Sequence, residues 1–115
     1  MKRPIKACLA IDIGTHAVRA AWLSCRRELL FIEQRDIGLN RKNTEEVEQD
    51  PFEILQASQY VIEAALEYAG AQGGLDQAAV CAALAIQRSS VLAWHRKTGE
   101  ALSPVLSWQD TRGNI

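Results

Sequence analysis

A chain of 115 residues has room for one hydrophobic core, and a composition of 48% hydrophobic and 23% charged residues excludes a disordered or fibrous protein. Thirteen Lys and Arg against fourteen Asp and Glu give a net charge of -1 with no dense run of either sign, which argues against nucleic acid or an anionic membrane as partner. No stretch approaches the roughly 20 apolar residues that span a bilayer.

The first residues carry Lys2 and Arg3, but the apolar run behind them reaches Asp12 too soon for a signal-peptide core. Cys8, Cys25 and Cys81 are odd in number and far apart, and two of them sit within apolar runs. They read as small hydrophobes of a reducing compartment, so a cytoplasmic protein without disulfides or structural zinc is expected.

The segment from Ala7 to Ile13 is almost continuously apolar and ends on the turn signal Gly14-Thr15, which predicts a central strand covered on both faces. Val18 to Ser24 and Leu29 to Ile37 predict two more strands, and their short connections imply antiparallel neighbours. Asn40 to Gln49 is polar and is predicted to be a surface loop. Helical signals follow. Asp50 can cap, Pro51 suits the first turn, and Glu53 stands where a capping-box carboxylate reaches back to the cap's own amide.

Phe52, Leu55, Ile62, Leu66 and Ala69 recur at helical spacing as the predicted buried face, and Gly70 supplies the stop. Ala78 to Ile86 is a second apolar run, matched to a buried strand that the helical crossover makes parallel to the first. Val91 to His95 and Leu102 to Trp108 then flank the turn at Gly99, predicting a hairpin in which Trp94 packs into the core. The element order is βββαβ followed by a β-hairpin.

Chemistry concentrates first at Asp12-Ile13-Gly14-Thr15-His16-Ala17-Val18-Arg19, where an acidic residue ends a buried strand and a small-residue turn opens the next. Such a turn aims backbone N–H groups and a hydroxyl into one concavity, as a polyphosphate requires. Asp12 is costly at the end of an apolar run unless it binds a cation or accepts hydrogen bonds, and a water-shelled Mg²⁺ would satisfy it. Arg19 adds a charge-assisted bond to phosphate if the hairpin register turns it toward the loop. An aspartic protease would need Asp12 in a loop facing a second Asp-Thr-Gly or its copy from a dimer partner; here Ile13 and a strand hairpin with Arg19 follow it, which argues against that reading.

A second group follows the later apolar run: Arg88 and Ser89, with Trp108 offering an apolar face and a donor, form the mixture that a polyhydroxylated ligand wants.

The sequence resembles the FGGY carbohydrate kinases, glycerol kinase among them. The resemblance is carried by Asp12-Ile13-Gly14-Thr15 with Arg19, by Glu48-Gln49-Asp50-Pro51, by Gln87-Arg88-Ser89-Ser90, by Trp94 with Thr98-Gly99-Glu100, and by Ser107-Trp108-Gln109-Asp110-Thr111-Arg112. It covers Leu9 to Arg112. It implies an α/β fold, the ribonuclease H-like half-lobe of the actin, hexokinase and sugar-kinase superfamily, with residues 1–115 as an incomplete N-terminal part of lobe I.

By the same resemblance Thr15, His16, Ala17 and Arg19 match nucleotide-phosphate positions and Asp12 the metal position, with ATP and Mg²⁺ as cofactors. Arg88, Ser89 and Trp108 match positions lining the sugar or polyol pocket. Ser89 departs from glycerol kinase, which has a glutamate there, and from the Met-His pair of xylulose kinases. The family's catalytic carboxylate, second phosphate loop and adenosine pocket lie farther along a longer chain, so the expectation is that residues 1–115 alone do not phosphorylate a sugar. The alternative from another class is a non-catalytic remnant that binds a partner or its own copy through the exposed sheet edge. The open outer edge of the Ala78 to Ile86 strand further predicts self-association through that edge or the sheet face.

Overall fold

In the computed structural model, which describes residues 6–76 and 80–114, β1 (Ala7–Ile13) is the hub of the larger sheet. It pairs antiparallel with β2 (Ala17–Ser24) from Ala7↔Ser24 to Ile13↔Val18, and β2 pairs antiparallel with β3 (Leu29–Asp36). The expected strand order is thus present, each connection being too short for anything but a hairpin.

Two small strands follow, β4 (Asn40–Arg41) and β5 (Val47–Gln49), where a surface loop was expected. Val47, Glu48 and Gln49 are buried. This segment is polar enough to read as a loop, but its buried polar groups are all satisfied. The Glu48 carboxylate meets Lys42 and Arg112, and the Gln49 amide meets backbone carbonyls.

The helix α1 (Pro51–Ala71) begins as its sequence predicts, with Asp50 accepting from the Phe52 N–H at 2.9 Å and Pro51 at the first position. Glu53 does not close a capping box; it accepts from the Gly38 N–H and so ties the helix to the segment between β3 and β4. The helix also runs one residue past Gly70, and the chain turns at Gly73 and Gly74, both at positive φ.

Its buried face is Ala57, Val61, Ala65 and Ala69, not the larger apolar residues expected. Phe52, Leu55 and Leu66 are exposed. Small residues let the helix approach the sheet closely, and Trp22 uses that proximity to donate from Nε1 to the Ala65 carbonyl at 2.8 Å. The core is this contact and its surroundings: Leu9, Val18, Ala20 and Trp22 from the sheet against Ala57, Val61, Ala65 and Ala69 from the helix.

The last strand of the sheet, β6 (Cys81–Ile86), pairs parallel with β1 in the order β3-β2-β1-β6, as the crossover demands. Of its predicted range, residues 78 and 79 lie outside the described residues. Expected to be buried, β6 is exposed along its whole length, because α1 packs chiefly on β2 and β3. Cys81 stands opposite Cys8, and a hydrogen bond between the two thiols, with burial, holds Cys8 above its usual range; all three cysteines are free.

The predicted C-terminal hairpin is only partly built. Trp94 bridges Ala101, but Val91 bridges Leu106, where continuous pairing would oppose Val91 to Pro104. Pro104 has no N–H to give to a ladder, so the register slips around it. The outer end is held by His95 and Glu100, and β7 (Val105–Leu106) pairs instead with β5 in a second sheet of order β4-β5-β7. Trp94 is 57% exposed, so the expectation that it packs into the core is overturned.

Candidate active site

The turn after β1 is shaped by Gly14. Its N–H donates to the Ala17 carbonyl at 3.0 Å, and a Cβ at Gly14 would meet that same oxygen at 3.0 Å, so a side chain there must push the turn open. Register places Arg19 directly opposite Asp12 on β2, so both reach the Gly14 side of the sheet. Arg19 approaches the Asp12 carboxylate at 3.5 Å, and its Nε donates to Gln34 Oε1 at 2.8 Å. Both side chains are partly exposed, so this pair adds little to stability. Thr15 is half-buried and His16 exposed, whereas Ala17 is 4% exposed and meets the turn through its carbonyl.

The second group lies beside the first because β1 and β6 are parallel and in register up to Ile13↔Ile86. Whatever follows each strand emerges at the same carboxyl-terminal edge, the usual place for a ligand crevice in an α/β sheet. There a cleft of 540 Å³ is lined by Thr15, Ile86, Gln87, Arg88, Ser89 and Trp108. Trp108 Nε1 donates to Thr15 Oγ1 at 2.9 Å, across 93 residues of sequence. Ser89 sits at φ 64°, a left-handed conformation that costs a non-glycine residue about 1–3 kcal/mol. Of the sequence-predicted residues, Thr15, Arg88, Ser89 and Trp108 share this cleft, while Asp12 and Arg19 stand on the sheet beside it.

The chain just past Trp108 is tied to β5 by an ionic clasp. Arg112 bonds both Glu48 and Asp110 at 2.7 Å, Lys42 bonds Glu48 at 2.9 Å, and Asp110 accepts from the Val47 N–H at 2.8 Å. Lys42 first and Arg112 second lower the Glu48 carboxyl below its usual range, while Asp110 raises Arg112 further.

Asp110 is lowered from 3.8 to about 2, chiefly by Arg112 and also by the Val47 N–H, against its own desolvation. A carboxyl whose folded value is depressed contributes stability above its unfolded value and loses it as pH falls through the folded one. The clasp is therefore expected to hold down to about pH 4 and to fail toward about pH 2. In a carbon-detected titration Asp110 should have its midpoint near 2, and Asp110→Asn should flatten the acid limb of the urea-midpoint curve; a midpoint near 3.8 would remove Asp110 from the clasp.

Three residues of this region carry no role on sequence grounds: Gln49, Gln87 and Ser90. Gln87 Nε2 donates to the Gly14 carbonyl at 2.8 Å and to Gln49 Oε1 at 3.1 Å. Gln49 Nε2 donates to the Thr15 carbonyl at 2.7 Å and to the Gly38 carbonyl at 3.1 Å. Ser90 Oγ donates to Gln87 Oε1 at 2.7 Å and accepts the Trp108 N–H at 3.0 Å. The signals available for Gln87 were its place at the head of Gln87-Arg88-Ser89-Ser90 and its position, one residue past a parallel strand that ends level with β1.

Residues 7–114 match the profile described as "FGGY family of carbohydrate kinases, N-terminal domain". The chain belongs to this family. Among relatives of this FGGY chain, the glycerol kinase of Nitrosomonas eutropha is 36% identical over 109 residues, covering 93% of this chain and 21% of the relative. The glycerol kinase of Thermus brockianus is 32% identical over 108 residues, covering 94% and 21%. The chain thus spans about a fifth of the length of the curated relatives it matches.

The crystal structure of Plasmodium falciparum glycerol kinase with ADP superposes at a TM-score of 0.83 with 21% identity, covering 94% of this chain and 21% of that one. Ligand-bound xylulose kinase from Lactobacillus acidophilus gives 0.75 and 19%, covering 92% and 20%. At these identities the likeness establishes the fold, that of the actin-like sugar kinases. Among the described residues no helix is long and apolar enough to cross a membrane.

Proposed function

We propose that this FGGY chain is the N-terminal part of lobe I of an ATP-dependent kinase that transfers the γ-phosphoryl group to a hydroxyl of a sugar or polyol in the cytoplasm. One observation carries the reading: the 2.9 Å bond from Trp108 Nε1 to Thr15 Oγ1, which sets the cleft of Arg88 and Ser89 against the Gly14-Thr15-His16 turn. Phosphoryl transfer depends on positioning donor and acceptor together, and this bond joins the two sides.

In this reading the turn from Thr15 to Ala17 receives the ATP phosphates through its backbone and the Thr15 hydroxyl, and Arg19 adds charge. Arg88 and Ser89 hydrogen-bond the hydroxyls of the acceptor, and Trp108 covers its apolar face. Asp12 suits Mg²⁺ held through water: it is a hard oxygen donor, half exposed, at the end of β1, and its bond to Arg19 is long enough to yield. Bound there, Mg²⁺ would neutralise charge on the phosphates. The catalytic carboxylate belongs to a part of the kinase outside residues 1–115. Free thiols, two of them exposed, suit a reducing cytoplasm.

The test is kinetic and uses the kinase whose N-terminal domain this is. Arg88→Ala should raise the sugar KM by about tenfold or more, as losing a charged hydrogen bond does, with little change in the ATP KM. Equal effects on both would remove Arg88 from the sugar side. The 115-residue chain assayed alone should release no sugar-dependent ADP above a no-protein blank.

A further inference from the structure

The backbone of the Gly14-Thr15-His16 turn has only one way to keep its N–H groups aimed at a ligand. In a trans peptide the carbonyl oxygen and the following N–H point in opposite directions within one plane, so fixing one fixes the other. The Gly14 carbonyl is bound by Gln87 and the Thr15 carbonyl by Gln49, at 2.8 and 2.7 Å. Both carbonyls are thereby turned inward toward the glutamine pair, and the Thr15 and His16 N–H groups are turned outward. Among the described residues neither N–H has a protein acceptor. The amide orientations are forced, since carbonyl oxygens can only accept.

The same glutamine also holds the other side of the cleft. Gln87 Oε1 accepts from Ser90, and Ser90 accepts the Trp108 N–H. With Trp108 Nε1 on Thr15 Oγ1, these bonds close a ring that runs from the turn through Gln87, Ser90 and Trp108 and back to the turn.

We propose that Gln87 is a positioning residue that, together with Gln49, clamps the peptides on either side of Thr15 with their N–H groups facing the phosphates and fixes Trp108 to the same reference. Gln87 does this by donating two hydrogen bonds and accepting one, not by filling space. The phosphate side of this statement rests on the function proposed above; the clamp itself does not.

The experiment is ¹H–¹⁵N NMR of the 115-residue chain, reading the Thr15 and His16 amides and the Trp108 indole. Gln87→Met and Gln87→Glu keep the volume of the side chain and remove its N–H donors. Both should shift and broaden all three signals while α1 resonances stay in place. Ser90→Ala keeps both clamped peptides and should move the Trp108 signals alone. If the two isosteric variants leave the turn amides at their wild-type positions, the side chain acts by packing and the proposal is overturned.

Addition of Mg·ATP then separates the two claims. In the kinase whose N-terminal domain this is, which supplies the adenosine pocket and second phosphate loop, the wild-type Thr15 and His16 amides should respond, with an affinity about tenfold weaker in Gln87→Met. Wild-type amides that ignore Mg·ATP would sink the nucleotide reading, whereas the clamp is decided by the first comparison. An Mg·ATP affinity unchanged in a Gln87→Met chain whose amides have shifted would overturn the link from clamp to phosphate.

Discussion

Replacing Trp22 with Ala is expected to bring the isolated chain to the edge of unfolding at 25 °C. Trp22 is 1% exposed, projects from β2 onto the Ala57, Val61, Ala65 and Ala69 face of α1, and donates to the Ala65 carbonyl. Truncating a buried aromatic of this size costs about 3–5 kcal/mol, most of it lost transfer energy and the cavity left behind. A small domain has about 5–15 kcal/mol in total, and this one exposes an entire strand, which argues for the low end. The neighbours cannot close the gap, since three of the four facing helix residues are Ala and have no side chain to extend into it.

Trp22→Phe keeps much of the volume and loses the indole bond, so it should cost about 1–2 kcal/mol. Urea unfolding followed by far-UV circular dichroism measures both. A loss under about 1.5 kcal/mol for Trp22→Ala would mean that the stability does not reside in the packing of helix on sheet.

How far the sequence reveals this fold depends on whether a segment's local signals agree with its tertiary role. Ala7 to Ile13 is legible because an apolar run, a turn and an antiparallel return are all local, and the register that sets Arg19 opposite Asp12 follows from that turn. The start of α1 is legible for the same reason, through Asp50 and Pro51. Its buried face is not. Periodicity favours the large residues Phe52, Leu55 and Leu66, whereas the sheet selects the alanine stripe that lets Trp22 fit, a preference set by the partner.

Val47 to Gln49 is illegible in a different way. Its burial is made possible by Lys42, Arg112, Gln87 and two backbone carbonyls, contributed by segments up to 64 residues away. The candidate site divides along the same line. Asp12, Thr15, Arg19, Arg88, Ser89 and Trp108 stand out by residue type and motif. Gln49, Gln87 and Ser90 belong to the same motifs, but they are ordinary polar residues whose roles come only from what they touch.

The isolated 115-residue chain is expected to self-associate. β6 is the outer strand of its sheet, exposed from Cys81 to Ile86, with neither charge nor Pro along it to discourage pairing. Ala82, Leu84 and Ile86 lie on the same face as Leu9, Ile11 and Ile13, the face α1 covers farther across the sheet; there Leu84 is 64% and Ile86 66% exposed.

The shape agrees. A radius of gyration of 17.1 Å exceeds the roughly 13 Å of a compact domain this long, so part of the chain stands away from the core. A second copy meeting β6 about a two-fold axis would pair antiparallel and cover the open edge, or would pack its own bare sheet face on the Leu84 face. Sedimentation velocity at micromolar concentration should therefore show a dimer or larger species. Leu84→Lys puts a charge on the apolar face and should return the chain to monomer. Ala83→Lys, on the opposite face, should weaken association less if the Leu84 face is the contact and as much if the edge alone is. Val80→Lys is a poorer probe, because Val80 packs against the core and its replacement would also destabilise the fold. A monodisperse wild-type monomer would show that exposure of β6 does not drive association in solution.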